Sequence, residues 1–357
     1  MSSDTETSSP SPEMPSSPAS EIDHIHVYPP DIPRGNLDLV LRSSDNVNFH
    51  VAKIFLDIAS PLFRDVFRQP PVSMPAEIEG GRPIILVTEP SKTLRVLLMY
   101  CYPPSIATTF RRFDQLEELK ELFDAAHKYQ MYGVLRSAGH ALVKQQQFLE
   151  QQPLRVYIIA CRYKLDREAV IAARYTLAIP VSERTYDPDM EFISAGALHR
   201  LNDFHFNCSR AAQGVVCTTT YNWIDRDDYS WFQPQCSTCR GKAGGREISI
   251  SRMRLQYASA FWTNYMDQIG RALAESPCVA VVMREDLLDN AVAEATACMN
   301  CVGSSRYNVA DELEVFRRLL AREVVRVLSS VRNVGSNNHF TNNCRSRIHF
   351  ASRSNSR

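Results

Sequence analysis

Between residues 37 and 67 the hydrophobic period changes from two to about 3.6, which marks a passage from strand to helix. Leu37, Leu39 and Leu41 alternate with Asp38, Val40 and Arg42, the rhythm of a strand whose side chains point to opposite faces. Residues 43–46 have turn chemistry, and Val47, Phe49 and Val51 then alternate again. This pattern predicts a β-hairpin with one buried face. From Lys53 onward, Ile54, Ile58, Leu62, Phe63, Val66 and Phe67 recur at helical spacing. Ser60-Pro61 falls inside that run as a cap followed by a first-turn proline, so the stretch reads as two short helices. It carries more apolar side chains than one helix face needs.

The chain then repeats the alternation of strand and helix less regularly. Residues 69–83 are proline-rich, contain Gly80-Gly81 and read as a loop. Residues 84–87 form a compact apolar run of the type found in buried strands. Residues 94–102 read as a buried helix stopped by Pro103-Pro104, and 116–129 and 134–148 as amphipathic helices parted by Gly133. Strands come early, helices follow, and no βαβ repeat is visible, which places residues 36–148 in the α+β class with a short three-stranded sheet.

Several of these residues occur together in one family. Residues 37–41 (LDLVL), 49–53 (FHVAK) and 59–63 (ASPLF) resemble the opening of a BTB/POZ domain. The 84–86 strand and the 125–129 helix (AAHKY) fall where that family has its third strand and its closing helical hairpin. The resemblance implies a protein-interaction module that self-associates, and it puts Asp38 and Lys53 near the dimer pocket. Ala52 departs from the family, many of whose members have histidine there. Residues 149–180, with helical stretches at 154–163 and 167–179, resemble the short helical extension that often follows such a domain. The polar 180–188 stretch marks a boundary.

Residues 189–332 read as mostly helical, with helices at 190–216, 253–273, 284–297 and 311–331. On the last, Leu313, Phe316, Leu320, Val324, Val327 and Val331 form a seam, with Glu312, Arg317, Arg322 and Arg326 facing out. His205, Cys208 and Cys217 are a possible metal set, but Cys208 sits on the apolar stripe, where free cysteine behaves as a small hydrophobe. Trp223, Trp231 and Phe232 flank an acidic turn. That setting favours buried anchors over a base-stacking platform, which needs basic neighbours.

Cys236 and Cys239, then Cys298 and Cys301, form two C-x₂-C pairs, the spacing that turns two thiolates toward one ion. A structural Cys₄ zinc site fits them. Thiols packed in the core, a disulfide and a redox pair are the competing readings, the last disfavoured by the absence of a thioredoxin-like βαβ setting. With its aromatic-rich middle, this half also resembles the C-terminal half of uncharacterised BTB proteins from basidiomycete fungi, a resemblance that implies no activity.

Composition closes off other classes. Forty basic and forty acidic residues cancel, which argues against whole-chain attraction to nucleic acid or anionic membrane. No apolar run reaches the length of a membrane span. The start lacks the basic and apolar regions of a signal peptide, so an intracellular, reducing compartment (cytoplasmic, nuclear or both) is expected. Residues 1–22, rich in Ser and Pro, and residues 333–357, which lack acids, read as disordered tails. Only 13 glycines are present, and there is no G-x-x-x-x-G-K-[ST], H-E-x-x-H or G-x-S-x-G. A non-enzymatic interaction protein, homodimeric through residues 36–148 and recruiting protein partners, is the expected function. A zinc-stabilised nucleic-acid-binding regulator dimerised by the same domain is the alternative. A cullin ubiquitin-ligase adaptor is a weaker one, since the Met74-Pro75-Ala76-Glu77 stretch lacks the hydrophobic-x-Glu spacing such adaptors often use.

Overall fold

The computed structural model describes residues 25–27, 29, 32–68, 78–103, 112–226, 229, 231–232, 244–251, 254–297 and 309–331. Both expected tails, the 74–77 stretch and both C-x₂-C pairs lie outside the described residues. Two compact units emerge, one drawn from Met1–Arg111 with Asp124–Val134, the other from Arg112–Phe123 with Leu135–Arg357.

The first unit is built on a mixed five-stranded sheet. Strands β2 (Leu39–Arg42) and β3 (Val47–Val51) form the expected hairpin, with Asn46 at φ 60° in the turn. β1 (Ile25–Val27) runs parallel to β3, and β5 (Arg82–Leu86) runs parallel to β2. Between β3 and β5 come α1 (Lys53–Ala59) and α2 (Pro61–Arg68), and α3 (Ser91–Cys101) follows β5. The α+β reading stands, with two strands more than the three expected. One is β1. The other, β4 (Ile78–Glu79), replaces part of the expected 69–83 loop. Gly80 and Gly81 have φ of 54° and 78°, the left-handed pair that closes a tight hairpin, and this turns β4 back along β5.

Burial differs from the sequence reading in two places. β2 and β3 are buried on both faces, not one. The polar row is accommodated by pairing: Arg42 Nε donates to Asn48 Oδ1 at 2.9 Å, and Asn48 Nδ2 donates to Glu79 Oε2 at 2.7 Å. Buried polar atoms are tolerated when paired in this way. Conversely, β5 is not fully buried, because Leu86 is 70% exposed at its end.

Helices α4 (Leu116–Lys128) and α5 (Tyr132–Lys144) contribute residues to both units. Gly133 does not part them; it lies inside α5. The break is at Gln130, whose φ is 56°, with Met131 N–H donating to the Ala126 carbonyl at 2.8 Å. Lys164, at φ 57°, ends α7 (Pro153–Arg162) in the same way, with Leu165 N–H bonded to Ala160 O at 2.8 Å. Both are Schellman-type caps, built here on long side chains where glycine is usual.

The second unit is mostly helical, as expected. It continues through α6 (Gln146–Gln151), α8 (Asp166–Tyr175) and α9 (Ala195–Val216). α9 starts at 195, not 190, because Ser194 Oγ accepts from Ala197 N–H as its N-cap. The expected 253–273 helix is two elements. Its first residues form β8 (Arg254–Ala258), antiparallel to β7 (Arg246–Ile250), beside the short β6 (Thr220–Tyr221). The helix α10 begins only at Ala260–Glu275, followed by α11 (Val279–Val282), α12 (Glu285–Thr296) and α13 (Val309–Ser330). Phe316 of α13 meets the rings of Trp223, Tyr229, Trp231 and Trp262 at centroid distances of 5.5–5.8 Å. Arg317 corrects the sequence reading, which faced it outward. It is 5% exposed and pairs with Glu314 at 2.5 Å and Glu285 at 3.0 Å.

Candidate interaction face

Helix α1 has apolar side chains on two sides. Leu56 is 1% exposed and belongs to the core, whereas Ile54 and Ile58 are 56% and 68% exposed. Four residues apart, these two share a face of the helix. On α2, Phe63 is buried between Phe67 and Tyr129, with ring centroids at 5.8 and 5.0 Å, while Val66 stays exposed. An isoleucine fully transferred from water contributes about 1.5–3 kcal/mol. Ile54 and Ile58 leave most of that unrealised within this unit.

The charged neighbours of this face are engaged inside the domain. Arg64 donates to the Asp57 carbonyl through Nε and Nη2 at 3.1 and 2.8 Å, and Nε lies 3.7 Å from the Asp57 carboxylate. Asp38 and Lys53 do come together, but through the backbone: Asp38 Oδ1 accepts from Lys53 N–H at 2.7 Å, at the first residue of α1. The Lys53 ammonium lies 4.5 Å from the Phe67 ring centroid. The pair therefore sets the start of α1 and links it to α2.

Behind the helices, buried polar contacts hold α1 and α2 in register. Ser60, fully buried, accepts from Phe63 N–H at 3.0 Å and donates to Tyr129 O at 2.6 Å. Tyr129 OH donates to Glu89 Oε2, and Lys128 Nζ reaches Glu89 Oε1 at 2.8 Å. Burial works to raise the Glu89 carboxyl, but those two hydrogen bonds hold it below its ordinary value; burial and Glu89 together push the Tyr129 phenol up. Asp45 accepts from Ser91 N–H at 2.8 Å and Ser91 Oγ at 2.6 Å, capping α3. Hydrogen bonds from Ser43 and Ser91 lower its pKa to about 2. No local pattern announces this cap, because Asp45 lies 46 positions from the helix it serves.

In the second unit, the possible set of His205, Cys208 and Cys217 is not a metal site. His205 Nδ1 faces Arg184 Nη2 at 3.0 Å and Nε2 faces the Glu275 carbonyl at 2.9 Å, so both ring nitrogens are occupied. Cys208 is fully buried and Cys217 exposed. Among the described residues no group of three or more His, Cys, Asp or Glu is placed to hold an ion. Cys236, Cys239, Cys298 and Cys301 lie outside them. A feature with no sequence signal is the buried Asp189, with Lys120 at 2.8 Å, Arg162 at 3.3 Å and Arg155 at 3.9 Å. Its partners come from two helices, α4 and α7, and it serves to join them.

No helix among the described residues is long and apolar enough to cross a membrane. Residues 34–146 match the family model of the BTB/POZ domain. No curated protein matches the chain.

Proposed function

Starting from residues 34–146 as a BTB/POZ domain, a module of protein–protein interaction and self-association, we propose that this chain is a homodimer formed through α1 and α2 and acts by recruiting protein partners. The carrying observation is the exposure of Ile54 and Ile58 on one face of α1, beside charges already satisfied within the domain. Association through a two-fold axis places the same patch on both copies, so one such face suffices for both sides. The reading gives the chain no reaction of its own, in keeping with a sequence that lacks the nucleotide-binding, metalloprotease and serine-hydrolase motifs. It also favours protein over nucleic acid as the partner: Trp231 and Trp262 are fully buried, away from any base they would have to stack on. Sedimentation equilibrium of the intact chain tests it. A dimer that dissociates on dilution supports it, and a monomer at tens of micromolar overturns it.

We further propose that Cys236, Cys239, Cys298 and Cys301 hold one structural zinc ion in a reducing, intracellular setting. The spacing of the two pairs supports this, as do Arg240 and Lys242, which offset the negative charge of a zinc tetrathiolate. Elemental analysis of purified protein should find about one zinc per chain. Zinc-free protein that is insensitive to chelator contradicts it.

A further inference from the structure

The two partners of His205 allow it only one form. The residue is buried on α9. Its Nδ1 meets Arg184 Nη2 at 3.0 Å and its Nε2 meets the Glu275 carbonyl at 2.9 Å. A guanidinium only donates and a carbonyl oxygen only accepts. Nδ1 therefore offers its lone pair and Nε2 carries the hydrogen, which is the neutral imidazole. A proton added at Nδ1 sets two cationic donors against each other with no acceptor between them. No carboxylate relieves that conflict. The groups that bear on His205 are Arg184, just after the turn Val181–Glu183, and the Glu275 carbonyl at the end of α10. Beyond His205, Arg184 faces the neutral amide of Asn202 on α9 and the phenol of Tyr157 on α7.

Arg184 sits in a short, otherwise loosely held stretch. Ser182, Glu183 and Thr185 beside it are exposed. Among the described residues, the hydrogen bonds that tie residues 181–185 to α9 are the two from Arg184, to Asn202 Oδ1 at 2.9 Å and to His205. The stretch after it is fastened elsewhere, through Asp189 to Lys120 at 2.8 Å and Arg162 at 3.3 Å. We propose that His205 is the trigger of an acid-released latch: its protonation expels Arg184 and frees residues 181–185 from α9, while 188–193 stay in place. Burial and the Arg184 charge hold the imidazole below its ordinary value of 6.5 while the latch is closed. Release restores that value, so the released state takes up the proton first. The latch is closed above 6.5 and is lost as pH falls through the depressed value. The freed stretch is the one that leads from α8 toward α9, so proton concentration sets how firmly this connection is held.

The test is hydrogen exchange followed by mass spectrometry on the 357-residue chain, with rates corrected for the intrinsic pH dependence of amide exchange. The reporters are Glu183 N–H and Arg184 N–H, bonded to Pro180 O at 3.0 Å and Val181 O at 3.4 Å. The comparators are Met190 N–H and Ile193 N–H, bonded to Asp187 O at 2.9 Å and Met190 O at 3.2 Å. From about pH 7.5 to about pH 5.5 the reporters should exchange roughly three- to tenfold faster, since one proton site shifts an equilibrium by at most about tenfold per pH unit. The comparators should not change. Arg184→Gln can turn its amide oxygen toward a protonated imidazole, and His205→Gln carries no titrating group. Each variant should give the same corrected rate at both pH values, whether that rate is fast or slow, which separates a proton trigger from a merely structural contact. Reporters equally protected at both pH values, comparators that loosen with them, or a pH dependence that persists in either variant overturns the proposal.

Discussion

The hydroxyl of Ser60 donates to the carbonyl oxygen of Tyr129, 2.6 Å away and 69 positions later in the chain. Ser60 Oγ itself accepts from Phe63 N–H and starts α2. One buried atom therefore ends the gap between α1 and α2 and fastens both to the end of α4. Ser60→Ala removes a helix cap and strands a buried carbonyl, at a combined cost of about 2 kcal/mol. Chemical denaturation should show that loss. A change below about 0.5 kcal/mol, the scatter of surface substitutions, would contradict the role given to Ser60.

His205 makes stability depend on pH. Burial, and the Arg184 guanidinium on Nδ1, hold its pKa below the ordinary value of 6.5, against the raising effect of the Glu275 carbonyl. The unfolded chain then takes up a proton at a higher pH than the folded one. Stability is fully present above the unfolded value and is lost as pH falls from 6.5 through the depressed folded value. Between about pH 7 and pH 5, the unfolding free energy from urea titrations should fall, by no more than about 1.4 kcal/mol per pH unit from this one site. His205→Gln should flatten that slope. An identical slope in both proteins would show that His205 is not its source.

Arg317 ties α13 to α12 through Glu285 and to the Met283 carbonyl, at 3.0 and 3.3 Å. Its charge is buried, but Glu285 is largely exposed, so removing the arginine does not strand a buried acid. Arg317→Met should destabilise the second unit by about 2 kcal/mol, less than the 3–5 kcal/mol of a fully buried pair. A neutral or stabilising result would mean that the burial penalty of the guanidinium outweighs its bonds.

Much of the first unit was legible because its signals are local. The 47–51 strand was read to the residue, and Ser60-Pro61 divided two helices as its cap chemistry requires. What stayed hidden depends on distant partners. Asp45 caps a helix far along the chain, and Gln130 and Lys164 take left-handed conformations that glycine would have advertised. Residues 254–258 read as helix because Leu255, Tyr257 and Ala258 fit either period over so short a run; their pairing with β7 decides the matter. Arg317 was read as exposed because a charge on a helix usually is, and only the carboxylates beside it reverse that. The exposed Ile54–Ile58 face was foreshadowed by the surplus of apolar residues in 53–67, although sequence did not say which of them would be left over.

Self-association through that surplus face is the central claim. Light scattering on the 357-residue chain and on Ile54→Asp with Ile58→Asp measures it most directly, since both side chains already meet solvent and their replacement leaves the core intact. The account predicts twice the 40.5 kDa chain mass for the unaltered protein and a single chain mass for the variant, with the same circular dichroism. A variant that remains dimeric, or an unaltered chain that is monomeric at tens of micromolar, would contradict it.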